Sequence, residues 1–148
     1  MRIGILGAGQ LSRMLALAGI PLGHHFIFLD PAPNPCSKQL GTLLSGDYED
    51  MALLNQLIEC SDVITFENEN IPLKTAEYIE QSQKSLLPNS TALKVCQDRW
   101  LEKSLFKQLQ IPTIELTQVE HPKDAIEFLE KINQTPNSSI VVKKRRNG

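Results

Sequence analysis

The chain has 148 residues, 41% of them hydrophobic and 22% charged, with a formal net charge of −2. That length holds a domain of ordinary size with its own core, and the charge balance excludes a generally basic binder of nucleic acid or membrane surfaces. The charge is nevertheless uneven: residues 1–88 carry 5 Lys/Arg and 10 Asp/Glu, whereas residues 89–148 carry 10 and 7, which points the second part toward a more anionic ligand.

Residues 2–6 form a short apolar run, expected as a buried parallel strand. Gly7-Ala8-Gly9 turns the chain. Residues 10–22 then carry Leu11, Met14, Leu15 and Ala18 at helical spacing, with Gly23 as the stop. Residues 26–29 read as a second strand closed by Asp30-Pro31. "DPAPNPCS", with three prolines in eight residues, must be loop. Residues 40–44 read as a short strand. Residues 50–60 read as a helix with Met51, Leu54, Leu57 and Ile58 on one face, followed by a strand over 62–66. A helix over 73–81 and a brief strand over 85–87 precede Pro88. This alternation predicts an α/β fold, a parallel sheet with helices on both faces.

Beyond Pro88 the texture is almost continuously helical. Asn89 or Ser90 caps the first part, Asp98 caps a second helix, and Ile111-Pro112 stops it. A strand is expected over 113–117, an amphipathic helix over 122–132 with Ala125, Phe128, Leu129 and Ile132 inward, and another strand over 140–142. The sequence ends "KKRRNG" just after a strand has begun, so the chain reads as the N-terminal part of a longer protein.

Cys36, Cys60 and Cys96 are odd in number and lack a C-x-x-C spacing, the pattern of free thiols in a reducing compartment. His24, His25 and His121 do not cluster with them, and no metal site is read. No apolar run approaches membrane-spanning length, and Gly7, Gly9, Gln10 and Arg13 interrupt the apolar start too early for a signal peptide. The expectation is a soluble cytoplasmic protein.

Two places carry chemistry. A glycine pair between strand and helix exposes backbone N–H groups to an anionic ligand. Gly7-x-Gly9 and Asp30, 23 residues after Gly7, fit a dinucleotide-binding pattern, but Ser12 stands where that pattern has its third glycine. Gln10, Ser12 and Arg13 could equally donate to a nucleotide monophosphate. At the end of the later strand, Glu67-Asn68-Glu69-Asn70 sits where parallel sheets bind ligands. If the strand persists, Glu67 and Glu69 point the same way and could read an amine or hydroxyls; otherwise they are solvated loop acids.

"ILGAGQLSRML", "DPAPNPCS", "ITFENENIP", "QDRWLEKSLFKQLQIPT" and "VVKKRRNG", in this order, resemble the N5-carboxyaminoimidazole ribonucleotide synthases, ATP-grasp ligases of purine biosynthesis. The resemblance covers the whole chain. It implies a Rossmann-like preATP-grasp domain over 1–88 that binds no dinucleotide, linker helices over 89–110, and the incomplete start of the ATP-grasp lid over 111–148. It implies ATP-dependent carboxylation of 5-aminoimidazole ribonucleotide by bicarbonate, through carboxyphosphate, with Mg2+ bridging the ATP phosphates. Gly9, Gln10, Leu11 and Glu67 match substrate-binding positions, with Glu69 as a second choice. Arg99, Lys143 and Gly148 match ATP-binding positions. No residue is assigned a catalytic or metal-ligating role, since the magnesium carboxylates and adenine pocket would lie beyond this chain. The fragment is therefore expected to be inactive alone, and the full-length protein to be a homodimer. Ser12 and Asn147 depart from common family glycines.

Three other readings stay open. An NAD-dependent oxidoreductase explains Gly7, Gly9 and Asp30 but not the basic run 143–146. A stand-alone nucleotide-sensing module would be complete at Gly148. Formate-dependent glycinamide ribonucleotide transformylase shares the architecture, but usually carries Glu-Leu-Gly-Lys where this chain has Gln10-Leu11-Ser12-Arg13.

Overall fold

The four apolar runs of the first ninety or so residues pair into one parallel sheet. In the computed structural model, which describes residues 1–132 and 141–146, β1 (Arg2–Leu6), β2 (His25–Asp30), β3 (Thr42–Ser45) and β4 (Val63–Phe66) lie in the order β3-β2-β1-β4. Ile5 pairs with Phe28 on one side and Thr65 on the other. Leu86 adds a single parallel bridge to Ile64, where a short strand was expected over 85–87.

Period-two alternation splits the strand residues between two cores. Leu6, Ile27, Leu29, Leu44 and Ile64 face α2 (Met51–Cys60) and α3 (Leu73–Gln81), burying Leu54, Leu57, Ile58, Ala76 and Ile79 with them. Met51, expected on the buried face of α2, is exposed. The Asp50 carboxylate caps α2, accepting from the N–H groups of Ala52 and Leu53. On the other face, Ile5, Phe26 and Phe28 pack with Ala8 and Ala16.

α1 (Gln10–Gly19) meets that second face through small residues. Its buried positions are Ser12, Ala16 and Gly19, and a Cβ on Gly19 would fall 2.5 Å from the Phe26 ring. Leu11, Met14 and Leu15 are instead exposed. The apolar spacing expected of this helix was real, but the sheet is approached too closely for its larger side chains. The helix is also shorter than 10–22: a 3-10 turn over Ile20–Leu22 follows, and Gly23 closes it at φ 80°.

The chain divides into two compact units, Met1–Lys94 and Val95–Gly148. α4 (Ser90–Cys96) begins in the first, with Leu93 in its core, and runs across the division. The second contains α5 (Arg99–Gln108) and α6 (Pro122–Ile132). Ala125, Phe128 and Ile132 are half-buried on α6, whereas Leu129 is exposed. The strand expected over 113–117 is irregular, and so are Val141 and Val142 of the one expected over 140–142; Ile140 lies outside the described residues. A β-prone run needs a neighbour to complete its hydrogen bonds, and no described strand pairs with either segment. Among the described residues no helix is long and apolar enough to cross a membrane.

Candidate functional site

The order β3-β2-β1-β4 reverses direction between β1 and β4, and the crevice at the carboxyl ends of those strands is where such sheets bind ligands. The turn after β1 and the segment after β4 meet there. β4 stops at Phe66, so strand alternation does not extend to Glu67 and Glu69. Glu67 turns in toward the glycines, whereas Glu69 is exposed in the following loop, so the condition under which the two acids would share a direction is not met.

The Glu67 carboxylate fills the glycine turn. Its Oε1 accepts from the Gly9 N–H at 3.1 Å, its Oε2 from the Ser12 N–H at 3.0 Å, and Asn68 Nδ2 adds a contact at 3.3 Å. The glycines make this approach possible: a Cβ on Gly9 would stand 2.6 Å from Oε1, and one on Gly7 2.5 Å from the Glu67 Cγ. Gly7 also has φ 100°, where L side chains are strained.

Other residues staple the same turn. Asp30 is buried; its Oδ2 accepts from the Ala8 N–H and its Oδ1 from the Ala32 N–H, both at 2.7 Å. Burial, the charges of Asp30 and Glu67 and a hydrogen bond to Asp30 together push the Tyr48 phenol above its usual range, so its proton stays in place. Ser37 donates its hydroxyl to the Gly9 carbonyl at 2.9 Å. Ser12 is fully buried and donates to the Gly7 carbonyl at 2.8 Å. A small side chain is needed where α1 touches the sheet, and the serine hydroxyl finds an acceptor there. Ser12 is thus spent inside the turn and is not the ligand donor expected of it.

With the Ala8, Gly9 and Ser12 N–H groups engaged, the N–H groups of Gln10 and Leu11 are the donors of the first helical turn without a protein partner among the described residues. The Gln10 side chain is exposed beside the Cys36 thiol, 3.8 Å from its Oε1. Gly9, Gln10, Leu11 and Glu67 therefore lie together. Sequence reasoning missed Tyr48 and Ser37, and it weighed Asp30 only as the acid of the rival dinucleotide pattern. The Pro-rich loop after Asp30 was the available signal, since a loop so constrained can seat Ser37 on the turn.

The residues matched to ATP binding lie in the second unit. Arg99 opens α5, and its backbone N–H donates to the Arg145 carbonyl at 3.1 Å, which brings the basic run 143–146 to that helix start. Lys143 is exposed. Gly148 and Asn147 lie outside the described residues. Among the described residues there is no group of three or more His, Cys, Asp or Glu able to hold a metal ion.

The ribonucleotide synthetase preATP-grasp domain matches residues 1–97. An N5-carboxyaminoimidazole ribonucleotide synthase of Pseudomonas aeruginosa is 47% identical over 124 residues, which is 84% of this chain and 34% of that protein. The crystal structure of the corresponding synthetase from Thermus thermophilus superposes with a TM-score of 0.80 at 45% identity, over 87% of this chain and 36% of that one. The Staphylococcus aureus enzyme complexed with ADP gives 0.85 at 28% identity, over 99% and 39%. This chain thus spans little more than a third of the length of the relatives it matches.

Proposed function

Since this chain belongs to the ribonucleotide synthetase preATP-grasp family, we propose that it carries the substrate-recognising end of an N5-carboxyaminoimidazole ribonucleotide synthase. The reaction joins bicarbonate to the exocyclic amine of 5-aminoimidazole ribonucleotide at the expense of ATP, giving ADP and phosphate. The observation that carries this reading is the occupancy of the glycine turn. A dinucleotide pyrophosphate needs the N–H groups of that turn and a free acid for its ribose. Here Glu67 holds Gly9 and Ser12, and both Asp30 oxygens are bonded to backbone.

The same arrangement suits an amine-bearing ribonucleotide. Glu67, oriented by two backbone donors, accepts a hydrogen bond from the substrate amine and turns its lone pair toward the carboxyl donor. Gln10 and Leu11 offer N–H groups to substrate oxygens at the helix start. Arg99 and Lys143 supply the positive charge that a transferring phosphoryl group requires. Gly148 belongs to the same ATP assignment. Magnesium would screen the ATP phosphates when bound, with its ligands outside this chain.

Within this reading, residues 1–88 are the preATP-grasp domain, 89–110 the linker helices and 111–148 the beginning of the ATP-grasp domain. The working protein is a cytoplasmic homodimer. Replacing the matching segment of the Pseudomonas aeruginosa relative by this chain tests the function. The chimera should release ADP only when both 5-aminoimidazole ribonucleotide and bicarbonate are present. A folded chimera that instead responds to glycinamide ribonucleotide and formate would move the chain to the transformylases.

A further inference from the structure

Asp98 is 1% exposed, and a carboxylate so placed needs partners for its charge. Its Oδ1 caps α5, accepting from the N–H groups of Trp100 at 3.0 Å and Leu101 at 3.2 Å. Further bonding comes from 47 and 48 residues away. Arg145 Nε lies 2.7 Å from both carboxylate oxygens, and Arg146 Nε lies 3.3 Å from Oδ2. The Arg99 N–H closes the arrangement on the Arg145 carbonyl. Lys143 and Lys144 have no acidic partner among the described residues.

We propose that Asp98 is a positioning residue that locks Arg145 to the start of α5. It thereby divides the run 143–146 into two arginine anchors and two lysines turned over to a phosphate-bearing ligand beside Arg99. The ligand half rests on the function proposed above; the anchoring half does not. Four adjacent cations would otherwise repel one another and sample many arrangements. One buried carboxylate offsets that repulsion and fixes the backbone at Arg145, two residues from Lys143. The Arg145 contact is also the main reason the Asp98 carboxyl sits at about 2 instead of 3.8, against the opposing effect of burial. Because the folded value is depressed, the anchor is fully present above pH 3.8 and is lost as pH falls through about 2. Glu120 is the other acid that acts on Arg145.

Asp98→Asn separates anchoring from capping, because asparagine caps helices as well as aspartate but carries no charge for Arg145. The test is NMR of the arginine Nε–H groups in this chain. Wild type should show a slowly exchanging Arg145 Nε–H that disappears in Asp98→Asn, while the α5 amides keep their protection. Arg145→Gln leaves the cap untouched and should release Lys143 in the same way, so the idea stays testable if Asp98→Asn unfolds the helix. Inorganic tripolyphosphate is then titrated. Arg99 and Lys143 amides should follow one binding curve in wild type, and affinity should fall about tenfold in Asp98→Asn, the effect of one charged contact. Equally fast Arg145 Nε–H exchange in wild type and variant would overturn the anchor. A protected Arg145 with no tripolyphosphate response at Arg99 or Lys143 would uphold the anchor and overturn the nucleotide reading of these residues.

Discussion

Changing Glu67 to glutamine is expected to lower kcat/KM of the chimeric synthase roughly ten- to hundredfold, because one charged hydrogen bond of about 1.5–3 kcal/mol is lost at the substrate amine. The effect should not be confined to catalysis. Both Glu67 oxygens accept from backbone N–H groups, those of Gly9 and Ser12. Glutamine has one accepting oxygen and one donating NH2, so one of the two N–H groups would face another donor. Position at a strand end alone implies no effect on the fold, but the geometry implies a looser turn as well. Steady-state kinetics and hydrogen exchange at the Gly9 and Ser12 amides should therefore change together. Wild-type values in both would leave Glu67 as a solvated acid and move attention to Glu69.

The glycines should be nearly as intolerant, for two separable reasons. Gly7→Ala places a side chain at φ 100° and drives its Cβ against the Glu67 Cγ at 2.5 Å. The backbone strain alone costs about 1–3 kcal/mol, and the displaced carboxylate adds the loss of its two hydrogen bonds. Gly9 has φ −80°, which any residue adopts, so Gly9→Ala suffers only the collision with Oε1 at 2.6 Å. Urea unfolding should rank Gly7→Ala as the more damaging change. Adding Glu67→Ala should relieve Gly9→Ala, a coupling that a double-mutant cycle measures directly. If the two glycine effects simply add to that of Glu67→Ala, the carboxylate does not occupy the turn.

Local pattern carried much of the architecture. The apolar runs of β1, β2 and β4, the inner face of α2 apart from Met51, the limits of α3 and the break at Asp98 all follow from periodicity and end signals within a few residues of one another. α1 shows where this fails. Its large apolar residues suggested the inner face, but the sheet takes the small series Ser12, Ala16 and Gly19, because close packing against Phe26 leaves no room for more. Residues 113–117 had β-like composition and no described neighbour to pair with. The site was legible in its residues and illegible in its wiring. Gln10, Leu11 and Glu67 could be matched one by one, yet the Glu67 bond to Gly9 spans 58 positions and the Asp98 bond to Arg145 spans 47. No spacing rule encodes such contacts. Asp30 makes the same point in reverse: its spacing from Gly7 suits a ribose acid, while its bonds to Ala8 and Ala32 make it a staple of the turn.

The role proposed for the glycine turn, filled by Glu67, is to hold an amine-bearing ribonucleotide through the Gln10 and Leu11 N–H groups. Amide chemical-shift titration of this chain with 5-aminoimidazole ribonucleotide, and separately with NAD, tests it most directly. Saturable shifts are expected at Gln10 and Leu11 with the ribonucleotide, smaller ones at Gly9 and Ser12 because Glu67 retains them, and none with NAD. Saturable shifts through residues 7–12 with NAD, and silence with the ribonucleotide, would contradict it.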